Sequence, residues 1–138
     1  MTSASSLLPR DGASRFALAV LVTGFAIGTY THTATLIDGG WLPYRSAPLW
    51  MNAYWTALTF LDPLAAALLV VRCRAGLTLA LAIMVSDVAI NSYAAYDMRL
   101  NFVAGPLQLQ TLFGGFLLGA AGFLWRRSLD HQGYDDPT

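Results

Sequence analysis

Positions 49–71 read LWMNAYWTALTFLDPLAAALLVV, a stretch in which Asp62 is the one charged residue. A helix crosses the hydrocarbon core of a bilayer with roughly 20 mostly apolar residues, so this segment can span a membrane. Apolar residues surround it instead of forming one stripe, which disfavours a soluble bundle with a polar outer face. Three other segments have the same character, and the four predicted spans are about Phe16–Ile37, Leu49–Val71, Gly76–Tyr96 and Gly105–Trp125. The sequence therefore predicts an all-α integral membrane protein, a bundle of four transmembrane helices.

The composition of the whole chain agrees with this prediction. Of the 138 residues, 56% are hydrophobic and 12% are charged, whereas soluble domains carry about 25% charged residues. These values exclude a disordered chain and most soluble enzymes, and they make the lipid bilayer, not nucleic acid, the expected partner. We expect a single membrane domain over residues 1–138, with polar tails at 1–15 and 128–138.

The arginines predict the orientation of the bundle in the membrane. All eight basic residues are arginines, and only Arg45 and Arg99 belong to one end of the predicted bundle. The other end has Arg10, Arg15, Arg72, Arg74, Arg126 and Arg127. Cytoplasmic loops carry the excess of basic residues, so we expect both termini in the cytoplasm, with the protein in a bacterial inner (plasma) membrane. The non-cytoplasmic edge of the bundle has most of the interfacial aromatic residues, which are expected to anchor it in the membrane. They are Tyr30, Trp41, Tyr44, Trp50, Tyr93 and Tyr96.

Asp62 and Asp87 lie near the middle of the second and third predicted spans. A carboxylate at the centre of a bilayer costs about 2.5 to 3.5 kcal/mol, so each side chain is expected to face the protein interior, water or a partner. The link Arg72-Cys73-Arg74 is very short, which predicts that these two spans are adjacent and antiparallel. Two carboxylates close together in a low dielectric cannot both ionise cheaply, and we hypothesise that at least one is protonated at neutral pH.

Pro63 directly follows Asp62, and this pair predicts a kink or a break in the second span. Proline removes a backbone N–H and clashes with the carbonyl group of Thr59, four residues earlier. Asp followed by Pro is also a helix-starting pair, which could begin a second half-helix. Broken helices at the midplane form substrate or ion sites. The alternative is that Asp62 only caps the kink.

Further polar residues share faces with the two aspartates at helical spacing. The candidates for a ligand or proton site are Asp62, Asp87, His32, Asn52, Trp55, Thr59, Asn91 and Gln108. With the predicted topology they all lie between the membrane centre and the non-cytoplasmic surface. We therefore expect a polar cavity that opens outward or sideways, with the aspartates at its floor. The spacing of the histidine and the aspartates matches no metal site, and the sequence indicates no cofactor and no known catalytic motif.

Two small-residue motifs predict close contacts between helices. Gly24 and Gly28 form a GxxxG motif in the first span, and Gly115 and Gly119 form another in the fourth. Small residues at this spacing let helix backbones approach closely. We expect packing within the bundle, and the alternative is a homo-oligomer.

Three classes of function fit these features and stay open. The polar groups at membrane depth favour a protein that binds or transports a small or lipid-like ligand, with proton coupling through the aspartates. Transport by so few helices would favour a homo-oligomer. The second class is an accessory or structural subunit of a larger membrane complex, without chemistry of its own. The third is a membrane enzyme that moves protons on an apolar substrate, with His32 and the aspartates as acid and base.

The first three predicted spans resemble the EXPERA group, which includes emopamil-binding sterol isomerases and sigma-2-receptor-like proteins. The matching features are His32 followed by Asp38, and the stretch of the second span that ends in Asp62-Pro63-Leu64. Where those proteins have an acid early in the second helix, this chain has Asn52 or Tyr54. The resemblance implies a bundle of four or five helices whose histidine and acids face a lipid pocket, and isomerase-type chemistry on an apolar substrate.

Overall fold

The computed structural model describes residues 11–130, and within this range the chain forms four α-helices and no strand. The helices are α1 (Gly12–Gly39), α2 (Leu49–Val71), α3 (Cys73–Tyr96) and α4 (Ala104–Asp130), with a short 3₁₀ turn (Asn101–Val103) before α4. Each α-helix contains a segment long and apolar enough to cross a membrane. The predicted all-α membrane bundle of four helices is therefore confirmed for this part of the chain. Residues 1–10 and 131–138 of the expected polar tails lie outside the described residues.

α1, α3 and α4 extend beyond the predicted spans, whereas α2 has the predicted bounds. Asp11 is the N-cap of α1, and its Oδ1 atom accepts a hydrogen bond of 2.9 Å from the backbone N–H of Ser14. This hydrogen bond holds the pKa of the Asp11 carboxyl below its usual range. At the other end of α1, Gly40 has a φ of 74° and its N–H bonds to the carbonyl of Leu36. α1 therefore ends at Gly39, directly before this glycine.

A single residue, Arg72, separates α2 from α3, so the two helices form a tight antiparallel hairpin. Gly76 makes this turn possible, because a Cβ atom there would collide with the backbone of Leu69. The prediction that the second and third spans are adjacent and antiparallel is confirmed. We call this side of the bundle the arginine end, defined by Arg15, Arg72, Arg74, Arg126 and Arg127. The opposite side, with the connections 40–48 and 97–103, is called the loop end.

Leucine side chains fill the centre of the bundle, while large apolar side chains also cover its outside. The fully buried leucines are Leu21, Leu58, Leu69, Leu77, Leu117 and Leu124. Strongly exposed apolar side chains occur on every helix, for example Phe16, Phe60, Val85 and Leu112. An outer surface of this kind suits contact with lipid and not with water.

The helices do not pack equally closely around the bundle. α2 packs on α1 and α3, and α3 packs on α4, whereas α1 and α4 make the sparsest contact of the neighbouring pairs. Phe113 of α4 bridges part of this seam, with its ring edge-on to Phe25 at a centroid distance of 5.7 Å. The seam between α1 and α4 is therefore the open side of the molecule.

α2 runs through Pro63 without interruption, so the second span is not broken, and the kink stays a prediction. Asp62 consequently does not cap a second half-helix. The loss of one backbone hydrogen bond is not enough to divide this helix, because buried residues on both sides of the proline, including Leu58, Ala65 and Leu69, hold it between α1 and α3.

The two GxxxG motifs have different surroundings. Gly24 faces the ring of Phe113, and Gly28 faces the carboxyl group of Asp62, so a Cβ atom at either position would collide with its neighbour. The expected packing within the bundle is confirmed for this motif. Gly115 and Gly119 face open space, because a Cβ atom at either position would have no other described residue within 4 Å. Packing within the bundle is therefore wrong for the motif of α4.

Candidate ligand-binding cavity

A cavity of about 380 Å³ lies between the four helices, and both midplane aspartates line it. Gly28 and Thr31 of α1 form one wall, and Gln110 and Phe113 of α4 form another. Most of the remaining lining is apolar, from Gly24, Phe25, Ile27, Ile83, Met84, Pro106 and Leu109. The structure thus places two carboxyl groups inside an otherwise largely apolar space.

The Asp62 carboxyl group is buried without a hydrogen bond to any other described residue. Asp62 is 5% exposed, and the Nε2 atom of His32 lies 3.9 Å from its Oδ2 atom. That distance is too long for a hydrogen bond. A Cβ atom at Gly28 would lie 2.5 Å from Oδ2, so the space for this carboxyl group exists because residue 28 is glycine. The Asp62 carboxyl group is therefore a strong hydrogen-bond acceptor at the edge of the cavity, without a donor among the described residues.

Asp87 is held by a hydrogen-bond network that joins α2, α3 and α4. The Nδ2 group of Asn91 donates to Asp87 Oδ1 at 3.2 Å and to Gln110 Oε1 at 2.6 Å. The Oδ1 atom of Asn91 accepts a hydrogen bond of 2.7 Å from the indole N–H of Trp55. Asn91 therefore fixes three side chains at once and orients the Asp87 carboxyl group along the cavity wall.

A second, smaller chamber of about 270 Å³ lies toward the loop end, above the aspartates. His32, Tyr44 and Trp55 line it, and it shares Thr31, Pro106 and Gln110 with the larger cavity. The hydroxyl group of Tyr44 lies 3.0 Å from His32 Nδ1, and the rings of Tyr44 and Trp55 are 5.1 Å apart. Burial raises the pKa of the Tyr44 hydroxyl, which keeps it in the neutral, donating form.

Tyr44 comes from the loop before α2, and Asn52 holds that loop in place. The backbone N–H of Tyr44 donates to Asn52 Oδ1 at 3.1 Å, and Asn52 Nδ2 donates to the carbonyl oxygen of Leu42 at 2.9 Å. Leu42 has a φ of 55°, an uncommon conformation for leucine that these hydrogen bonds support. Asn52 thus positions the loop instead of lining either chamber, and Tyr44 points inward, although the sequence places it in the aromatic belt.

Gln108 lies apart from the other predicted site residues. Gln108 is exposed and lines a separate depression on the outer surface with Val20, Leu112 and Phe116. The glutamine of the site is Gln110. α4 buries Leu107, Gly114, Leu117, Ala121 and Leu124, and this spacing of three and four residues places position 110 on the inner face. The sequence has no signal for this face, because the exposed residues of α4 are as apolar as the buried ones.

The remaining candidates fall into two groups. His32, Trp55, Asp62, Asp87 and Asn91 are brought together around the two chambers. Thr59 is buried on α2, one turn from Asp62, and its hydroxyl group has no hydrogen-bond partner among the described residues. It lines neither chamber. The structure therefore assembles most, but not all, of the predicted polar face.

Among the described residues, no basic side chain lines the cavity, and no arginine pairs with either aspartate. Across residues 11–130, no group of three or more histidines, cysteines or acids is arranged to hold a metal ion. Ile27 and Leu109, which belong to the lining, are 56% and 68% exposed on the outer surface. The cavity consequently reaches the lipid-facing surface along the seam between α1 and α4.

The described part of the chain is therefore a bundle of four potential membrane-spanning helices with an acid-containing cavity between them. Comparison with known proteins found no matching family profile, no matching curated protein and no matching solved structure. The resemblance to EXPERA proteins accordingly rests on the residues quoted for it, and the isomerase-type activity that it implies stays a prediction.

Proposed function

We propose that this chain binds a small, lipid-like molecule that carries a basic nitrogen, in the cavity between the helices. The observation that carries the proposal is the Asp62 carboxyl group, buried next to the cavity and without a hydrogen bond to another described residue. Buried polar groups in proteins are almost always paired, and an unpaired one costs about 1–3 kcal/mol. A ligand ammonium group would supply the missing donors and the opposite charge.

The shape and lining of the cavity support the apolar part of this ligand. A volume of about 380 Å³ falls in the range of small-molecule sites. Phe25, Met84 and Phe113 offer an apolar surface next to the carboxyl groups. The opening between α1 and α4 would admit a molecule directly from the bilayer, where apolar ligands concentrate.

Proton coupling follows from the chemistry of the same groups. A carboxyl group holds an ammonium ion when it is ionised and releases it when it is protonated. His32 lies next to Asp62 and contacts Tyr44 toward the loop end. A proton that moves between Asp62 and the loop end therefore has polar side chains along its path. In this proposal the protein resides in a bacterial inner membrane with the loop end outward, and protons from outside favour ligand release.

Binding of two matched probes to the purified protein in lipid nanodiscs tests the proposal. The probes are N,N-dimethyldodecylamine and 1-dodecanol, which share a chain length and differ in the basic group, and the change in tryptophan emission reports binding. We expect tighter binding of the amine, and D62N should weaken it about tenfold or more through loss of a charge-assisted hydrogen bond. D38N, at an exposed acid of the loop end, is the matched control. Equal binding of both probes, or unchanged amine binding by D62N, would contradict the proposal.

The contact between His32 and Asp62 favours one second candidate, a proton-transfer enzyme acting on an apolar substrate. The two side chains are 3.9 Å apart at the edge of the cavity, close enough to serve as acid and base on one bound molecule. Incubation with isoprenoid and sterol-like alkenes, followed by product analysis, tests this candidate. Turnover that is lost in both H32Q and D62N would support it, and unchanged substrates across the panel would exclude it for those compounds.

A further inference from the structure

The arginine end of the bundle has a cluster of positive charges, most of which are exposed. Arg15, Arg72, Arg126 and Arg127 are exposed, and Arg74 is half-buried. The guanidinium groups of Arg15, Arg72 and Arg126 form no hydrogen bond or ion pair with another described residue. The charges of these three arginines are therefore available to a partner outside residues 11–130.

Contacts between helix ends bring these arginines to one side of the molecule. The guanidinium carbon of Arg74, at the start of α3, lies 4.9 Å from the ring centroid of Trp125, near the end of α4. Arg127 lies over Phe123 at 5.5 Å and interacts electrostatically with Asp11, at the start of α1. The ends of α1, α3 and α4 therefore lie close together, and their arginines belong to one surface.

The arginines lie directly at the edge of the lipid-facing surface. Phe16 follows Arg15 and is 67% exposed, while Val70 and Val71 precede Arg72 and are 43% and 52% exposed. Apolar side chains at this position contact acyl chains, so the neighbouring guanidinium groups lie at the level of the lipid headgroups. This continuity of apolar and basic surface fits a lipid better than a free anion.

The two ends of the bundle differ in net charge. Between residues 11 and 130, the five arginines of the arginine end are accompanied by Asp11 and Asp130, which leaves positive charge in excess. The loop end has two arginines, Arg45 and Arg99, and two aspartates, Asp38 and Asp97, which balance. The asymmetry in net charge makes the loop end a matched control for the arginine end.

We propose that the arginine end binds the headgroup of an anionic phospholipid, with the acyl chains along the exposed apolar residues next to Arg15 and Arg72. Guanidinium groups bind phosphate oxygens with two parallel hydrogen bonds, which an ammonium group cannot do. Clusters of arginine at the membrane surface attract anionic lipids by about 1 kcal/mol for each residue. The site lies at the opposite end from His32 and is independent of the ligand proposed for the cavity.

Native mass spectrometry of the full chain, released from mild detergent with equimolar phosphatidylglycerol and phosphatidylcholine of identical acyl chains, tests this inference. We expect the wild-type protein to retain mainly phosphatidylglycerol. R72Q/R126Q should lower its affinity for phosphatidylglycerol by about 25-fold, about fivefold for each arginine, and leave phosphatidylcholine binding unchanged. R45Q/R99Q removes the same number of charges at the loop end and should retain the preference. Size-exclusion profiles and circular dichroism check that each variant is folded.

The inference is overturned if the wild-type protein holds both lipids equally, or if R45Q/R99Q loses the preference as fully as R72Q/R126Q. Competition with excess inorganic phosphate separates the two sources of a phosphate group. Retention of phosphatidylglycerol supports a lipid site, whereas its complete displacement would assign the arginines to free phosphate and exclude the lipid. Raised salt should weaken the preference, because exposed charges are screened.

Discussion

Asn91 is the residue on which the polar site depends most. It accepts a hydrogen bond from Trp55 and donates to Asp87 and Gln110, and its side chain is 3% exposed. An amide can do this because it has both a donor and an acceptor group. An apolar residue of similar size would break hydrogen bonds to side chains of three helices.

Replacement of Asn91 should therefore destabilise the bundle. We expect N91A to lower the free energy of unfolding by about 2 kcal/mol or more, because Trp55, Asp87 and Gln110 would each lose the hydrogen bond that Asn91 makes. Equilibrium unfolding in detergent measures the change. S92A is the neighbouring control, since the Ser92 hydroxyl bonds only to the carbonyl of Val88 in its own helix. A loss in N91A no larger than that in S92A would contradict this role.

Gly28 provides a second prediction at the scale of a single residue. A methyl group at this position meets the end of the Asp62 side chain and not backbone, so we expect G28A to fold and to displace the carboxyl group. Binding of N,N-dimethyldodecylamine should weaken about tenfold, the value of one hydrogen bond to a charged group. G115A adds the same methyl group where nothing lies within 4 Å. Equal amine binding by G28A and G115A would disprove the proposed role of Gly28.

Among the helices, α4 shows best what the sequence could and could not predict. Its position follows from apolar composition alone, although the helix continues past Trp125, where the predicted span ends, to Asp130. Its rotation does not, because the exposed residues of a membrane helix are as apolar as the buried ones, and hydrophobicity no longer marks the inner face. Polar spacing in the sequence pointed to Gln108, whereas the structure turns Gln110 inward. α2 and α3, where the aspartates mark the inner face, were predicted with the correct rotation.

Paired substitutions in α4 test this rotation. Q110A should destabilise the protein by about 1 kcal/mol, because it removes an acceptor of the Asn91 amide. Q108A, at an exposed position, should change the free energy of unfolding by less than about 0.5 kcal/mol. The comparison uses the same residue type on two faces of one helix. A larger effect of Q108A would mean that α4 is rotated differently in the membrane.

The course of α2 shows a second limit of sequence reasoning. Asp62 followed by Pro63 favours a helix start in isolation, and local chemistry alone therefore predicts a break. In the bundle, α1 and α3 pack on both halves of α2, and the helix continues. Tertiary packing decides such cases, and a single sequence contains little information about it.

At the scale of the whole molecule, the arginine asymmetry makes a topological prediction. Five arginines lie at one end of the described bundle and two at the other, so we expect the arginine end in the cytoplasm. A reporter that is active only outside the cytoplasm should be active when fused within residues 41–47 and inactive when fused after Arg127. The reverse pattern would show that the protein has the opposite orientation in the membrane, with the second chamber on the cytoplasmic side.

The one-residue turn at Arg72 has a consequence for how the protein enters the membrane during synthesis. Each aspartate alone would oppose partitioning of its helix from the translocation channel into lipid. The turn forces α2 and α3 to pair as they emerge, and Trp55 can then contact Asn91 while Tyr54 contacts Ser86 at 2.7 Å. We expect the two helices to insert together as a hairpin whose polar side chains shield each other. Lengthening this turn should therefore impair membrane integration of newly made chains before it affects the finished fold.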